Sequence, residues 1–218
     1  MSALSALSPL TRAAVSWVSV CLTLGDCVLP TGGSAPINYY VLNARAVADP
    51  HLVSGPTGMI GIQTVQLPDY LNQRLIVTRP QENAIDVAEL DQWAGALSDN
   101  ITNVVVENLS KLLGTERVIP LPVTAAVPVE DVVGIEIIGF ERQPSATVRL
   151  SARWIVLGGS GRTFRAVHQS VYEAGNVSGD YVSIASAMSD LLAAFSRDIA
   201  QTLATPTMPP TFTEQPLG

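Results

Sequence analysis

Covalent or metal chemistry needs nucleophiles, bases or ligands within reach of one another, and this sequence of 218 residues offers few of them. It has two histidines and two cysteines. His51 lies in a loop rich in proline and glycine. His168 lies in the middle of a strand pattern, on the parity of Phe164, Ala166 and Tyr172. A serine hydrolase would need one of these histidines as its base, with Ser160 as the nucleophile. Ser160 stands in Gly158-Gly159-Ser160-Gly161-Arg162. A nucleophile elbow needs glycine two positions after the serine and a helix beyond it. A phosphate-binding loop ends in Gly-Lys-Ser/Thr. Here Arg162 and Thr163 follow, between two strands, so the run reads as a hairpin turn and His168 as a partly buried strand residue. No Cys or His pair has metal-ligand spacing, and the only carboxylate cluster is Glu130-Asp131, so neither metal nor cofactor is expected.

The cysteines point to a different chemistry. Cys21 and Cys27 both precede the region with folded patterning, so that region has no internal disulfide. Arg12 is followed by the apolar run Ala13 to Leu24, which suits a secretory leader and is too short to span a bilayer. Leu24-Gly25-Asp26-Cys27 resembles a bacterial lipobox, with Asp26 where that pattern has Gly, Ala or Ser. The resemblance implies that residues 1–26 are removed and that Cys27 is acylated. Residues 27–36, rich in Gly, Pro and Ser, then read as a flexible lipidated tether. Residues 37–205 form one domain. Residues 206–218, with proline and no apolar period, form an extended or disordered tail.

Charge narrows the partners. The net charge is −7, and Lys111 is the only lysine. Nucleic acid needs a clustered basic patch, which is absent from the sequence, so no nucleic acid partner is expected. Charged residues make up 14%, against about 25% in ordinary domains. That deficit suits a surface covered by partners or close to lipid, and it equally suits a chain whose leader inflates apolarity.

Strands are expected over Tyr39–Asn43, Met59–Gln66, Leu75–Arg79, Val132–Arg142, Thr147–Leu157 and Thr163–Glu173. The fifth alternates cleanly, with Val148, Leu150, Ala152, Trp154 and Val156 on one face and Arg149, Ser151 and Arg153 on the other. Prolines at 120, 122 and 128 mark a loop over 115–130 that holds at most an extended piece outside the sheet's centre. A first helix opens around Trp93. Its stripe is Leu90, Trp93, Ala94, Leu97, Ile101, Val104, Val105, Leu109, Leu112 and Leu113. Asp86 and Glu89 read as its capping box and Gly114 as its left-handed terminator. A second helix covers Asp180–Leu203. The order is β-β-β-α-β-β-β-α. The fold class is α+β, with two long helices on one face of a mostly antiparallel or mixed sheet of five to six strands.

Four segments, Tyr39-Tyr40-Val41-Leu42, Val65 to Leu71, Ile76 to Arg79 and Trp93 to Leu97, carry a family resemblance. Together they resemble the PqiC-like family of ABC-type transport auxiliary lipoproteins, which accompany MCE-domain lipid-transport systems in the Gram-negative envelope. The motif residues are Tyr39, Tyr40, Leu67, Pro68, Arg79, Trp93 and Leu97. The resemblance implies a non-enzymatic lipoprotein on the periplasmic side of the envelope. It would dock on an MCE-domain protein and the ABC transporter of its system, with phospholipid and a second copy of the chain as further partners. Val28 after Cys27 favours the outer membrane over the inner. Tyr70, Leu71 and Asn72, on a loop between two strands, are the expected partner-binding residues. The alternatives are another envelope binding or assembly module, or an envelope hydrolase using Ser160 or His168.

Overall fold

The computed structural model describes residues 35–52, 56–123, 127–159 and 163–205. In chain order the elements are β1 Asn38–Tyr40, β2 Ile60–Gln63, β3 Leu75–Gln81, β4 Ala84–Trp93, α1 Leu97–Leu113, β5 Val118–Leu121, β6 Asp131–Arg142, β7 Val148–Gly158, β8 Thr163–Ala174 and α2 Tyr181–Ala204. The α+β class holds. The sheet has eight strands rather than five or six.

The two additional strands have separate causes. β5 carries Pro120, and it lies at an edge where, among the described residues, its only partner is β2. Proline lacks the N–H that a central strand must donate, so the edge is where such a strand can exist. β4 occupies the stretch expected to open the first helix. It pairs antiparallel with β3 across the turn at Glu82 and Asn83, and parallel with β1. Asp86 and Glu89 are therefore exposed strand residues and not a capping box. The helix starts four residues after Trp93, at Leu97, with Ala96 at its N-cap and no side-chain cap. Gly114 ends it at φ 61°, the left-handed conformation that glycine adopts without a Cβ clash. Asp180 caps α2 by accepting from the Ser183 N–H at 2.8 Å.

β6 is the hub of the sheet. β7 pairs antiparallel along its length on one side. On the other side, β2 pairs parallel with Asp131–Val133, Gln66 bridges to Glu136, and Thr78 of β3 meets Arg142. The chain from β2 to β3 thus runs beside the whole of β6. β8 continues the sheet beyond β7 and forms a further edge, as β1 does beyond β4.

Alternation in β7 places Val148, Leu150, Ala152, Trp154 and Val156 in the core. On its other face, Arg149 pairs with Glu173 and Arg153 with Glu136. The helices pack on each other and on the inner side of the sheet, with Leu109 and Leu112 of α1 and Leu192, Phe195 and Ile199 of α2 buried. Irregular backbone near α1 is satisfied by helix side chains. Asn100 both accepts from the Leu42 N–H (2.8 Å) and donates to the Leu42 carbonyl (3.2 Å). Asn108, fully buried, accepts from the Ala46 N–H at 2.9 Å. Thr102 accepts from the Val65 N–H at 3.0 Å. Buried backbone groups outside a ladder need such partners.

Candidate functional site

The connection from β2 to β3 holds the motif residues Leu67 and Pro68 and the expected partner-binding residues Tyr70, Leu71 and Asn72. Pro68 begins a tight turn in which its carbonyl accepts from the N–H groups of Leu71 (2.9 Å) and Asn72 (3.1 Å). The Gln73 side chain donates to the Tyr70 carbonyl at 2.8 Å. Leu71, expected at a partner surface, is buried in the core. Its removal from water pulls the turn down onto the domain. Asn72 and Asp69 are exposed, and Leu67, Pro68 and Tyr70 are half-buried.

Tyr70 closes over a buried carboxylate. Glu141, near the end of β6, is only 3% exposed. It accepts from the Tyr70 hydroxyl (3.1 Å), Arg79 Nε (2.9 Å), the Phe140 N–H (2.8 Å) and the Gln143 side chain (3.1 Å). A buried carboxylate is costly unless its lone pairs are met, and four donors meet them here. Arg79 is further fixed by donating to the Glu82 carbonyl at 2.9 Å, and its guanidinium lies 5.8 Å from the centre of the Tyr70 ring. Burial, then the neighbouring Glu141 charge, raises the Tyr70 pKa above its ordinary value. The Glu141 hydrogen bond raises that of Arg79. Tyr70 therefore stays neutral and donates to a carboxylate, which holds the turn in one position. Gly139 lies beneath it; a Cβ there would come within 3.6 Å of the Tyr70 hydroxyl.

The other motif residues build a neighbouring support. Trp93 at the end of β4 is buried, and its N–H donates to the Arg74 carbonyl (2.7 Å), which fixes the exit of the same loop. Leu97 opens α1 and is buried. Tyr40 donates to Asp91 at 2.7 Å, and that bond is the main cause of a Tyr40 pKa raised to about 12. Tyr39 points outward and is exposed. Asp91 of β4 accepts from both Asn38 and Tyr40 and so adds a side-chain link to the parallel pairing of β1 with β4. Glu141 carried no signal beyond its place at the end of a strand; only the parallel passage of β3 beside β6 brings Arg79 to it.

Cys27, and the serine of the hydrolase alternative, Ser160, lie outside the described residues. His168 is exposed rather than partly buried, because β8 is an edge strand; its ring stacks on Trp154 at 4.4 Å. No helix among the described residues is long and apolar enough to cross a membrane.

Comparison with known proteins gives one family. The model of the ABC-type transport auxiliary lipoprotein component family matches residues 40–200. No curated protein matches the sequence. Among solved structures, protein XCC0632 from Xanthomonas campestris superimposes with a TM-score of 0.65 at 16% identity, over 76% of this chain and 94% of that one. An uncharacterized protein superimposes with a TM-score of 0.62 at 20% identity, over 77% of this chain and 98% of that one. At these identities the likeness shows the fold.

Proposed function

The chain belongs to the ABC-type transport auxiliary lipoprotein component family, and from that we propose that it is a non-enzymatic docking component of an MCE-type phospholipid transport system. Cys27 carries the acyl anchor, and the domain stands on the periplasmic side of the envelope, at the outer membrane. The transport energy comes from a separate ATPase. The observation that carries the docking role is the Pro68–Asn72 turn, held by Tyr70, Arg79 and Glu141 while Asp69 and Asn72 face solvent. A turn fixed this firmly loses little freedom on binding, so its contacts are kept as affinity. Tyr70 and Asn72 are its contact residues, and Leu71 supports them from within the core.

Co-purification from mild detergent tests the reading. An MCE-domain protein should be recovered with the wild-type chain and lost with Asn72→Arg at an unchanged melting temperature. Recovery of no such protein, together with an intact permeability barrier on deletion, would remove the proposal. Intact-mass analysis tests the anchor separately: acyl mass on Cys27, and a soluble protein with Cys27→Ser.

A further inference from the structure

β1 presents an unusual edge. Tyr40 and, just past the strand, Leu42 face inward, Tyr40 donating to Asp91 and Leu42 buried in the core, while Asn38 is exposed and donates to Asp91 along the edge. Its odd positions face solvent, and three in succession are apolar: Ile37 is 45% exposed, Tyr39 58% and Val41 51%. A half-solvated strand ordinarily places polar side chains outward. No charged side chain occurs from Pro36 to Asn43, although the chain as a whole has a net charge of −7. Among the described residues β1 pairs only with β4, so this face stands at the rim of the sheet.

The position of the stripe in the chain says what it meets. Ile37 lies ten residues after Cys27. Ten residues span at most about 36 Å when extended, and a random coil of that length has a root-mean-square span of about 16–19 Å. An anchor at Cys27 therefore holds the stripe at high local concentration beside the bilayer, so that three modest side chains suffice for contact. Tyrosine suits the headgroup boundary, where its ring is buried and its hydroxyl stays wet. The absence of charge makes the contact one of apolar burial rather than attraction to anionic headgroups.

We propose that Ile37, Tyr39 and Val41 form a second, non-covalent membrane contact that lays the β1 rim of the domain on the surface of the bilayer. The inference rests on the reading of Cys27 as acylated. It adds an orientation: the domain is not free to swing on its tether.

Single cysteines at positions 37, 38, 39, 41 and 171 of the full-length acylated protein, labelled with an environment-sensitive fluorophore, test this. The protein is reconstituted through its own anchor into phosphatidylcholine vesicles with or without brominated acyl chains. Brominated lipid should quench the probes at 37, 39 and 41 and spare those at 38 and 171. The quenching should survive high salt, which screens exposed charges. Equal quenching at 37, 38 and 39 would overturn the inference, since a frayed segment has no alternating face. So would unquenched probes with blue-shifted emission in the absence of lipid, the mark of a protein covering the stripe. Mass analysis of the same samples separates the two readings. An acylated protein with unquenched probes overturns only the membrane contact, whereas an unacylated Cys27 overturns the anchor and the contact together.

Discussion

The chemistry of single residues here is that of tyrosines donating to acids. Tyr40 donates to Asp91 and Tyr172 to Asp198, and both pKa values rise to about 12. The largest cause for Tyr40 is the hydrogen bond, and for Tyr172 it is burial. A group whose folded pKa lies above its unfolded value of about 10 stabilises the fold fully below that unfolded value. The contribution is lost as pH rises through the folded pKa. Denaturant midpoints should therefore hold to about pH 10 and fall between about 10 and 12. Tyr172→Phe should flatten that fall, and a fall as steep as in wild type would reject the assignment. Tyr70 poses a different question, because the same side chain caps a buried group and borders the proposed docking turn. Tyr70→Phe keeps the ring and deletes a hydrogen bond to a charged acceptor, which should cost about 1.5–3 kcal/mol. Tyr70→Ala removes ring area as well. If the turn is a contact surface, the affinity lost by Tyr70→Ala at a temperature where it is fully folded should reach at least about 1–2 kcal/mol.

At the scale of elements, Trp93 shows what sequence reasoning could and could not see. Its burial was legible from size and apolarity, and Trp93→Ala should cost about 3–5 kcal/mol, measured by chemical denaturation. Its element was not legible. Leu90, Trp93, Ala94 and Leu97 fall at helical spacing by coincidence, because the first two belong to β4 and Leu97 to α1. β4 gives no period-two pattern of its own. Irregular register against β3 interrupts its alternation, and Ala, Glu, Leu and Gln are good helix formers. Substitution separates the two readings of this stretch. Loss of a capping box costs a helix about 1 kcal/mol, whereas Asp86→Ala and Glu89→Ala, on an exposed strand, should leave the denaturation midpoint unchanged. Where one face was dry and the other wet, as in β7, the alternation gave the strand and its inward set directly. The candidate site was half-visible in the same way. Tyr70 and Arg79 could be read from the sequence, while Glu141 could not, because its role comes from a parallel pairing some sixty residues apart in the chain.

For the whole molecule, β6 is the member through which the parts communicate, and both of its ends are clamped by buried ion pairs. At its start, Asp131 takes Arg165 Nη1 of β8 at 2.7 Å, while Arg165 Nη2 donates to the Thr205 carbonyl just past α2. Near its end, Glu141 takes Arg79 of β3 at 2.9 Å. The first clamp joins the sheet's far edge and the end of α2 to the hub; the second joins the β3–β4 hairpin and the Pro68–Asn72 turn to it. Removing one partner of such a pair leaves the other charge buried, which costs about 3–5 kcal/mol. Asp131→Ala should fall in that range. Glu141→Ala should fall at its lower end, because Arg79 is a quarter exposed and water relieves part of the cost. The two sites lie about 30 Å apart along the strand, from its rise of roughly 3.3 Å per residue. Sites so distant, with no shared partner, add within about 0.3–0.5 kcal/mol when the domain unfolds in one cooperative step. The double variant should therefore lose the sum of the single losses. A loss well short of that sum would mean that one clamp lets go before the other, and that the hairpin carrying the docking turn opens as a unit of its own while β6 to β8 remain folded. Hydrogen exchange at the amides of β3 and β4 in Glu141→Ala distinguishes the cases: exchange at the global rate supports a single cooperative domain, and faster exchange confined to the hairpin rejects it.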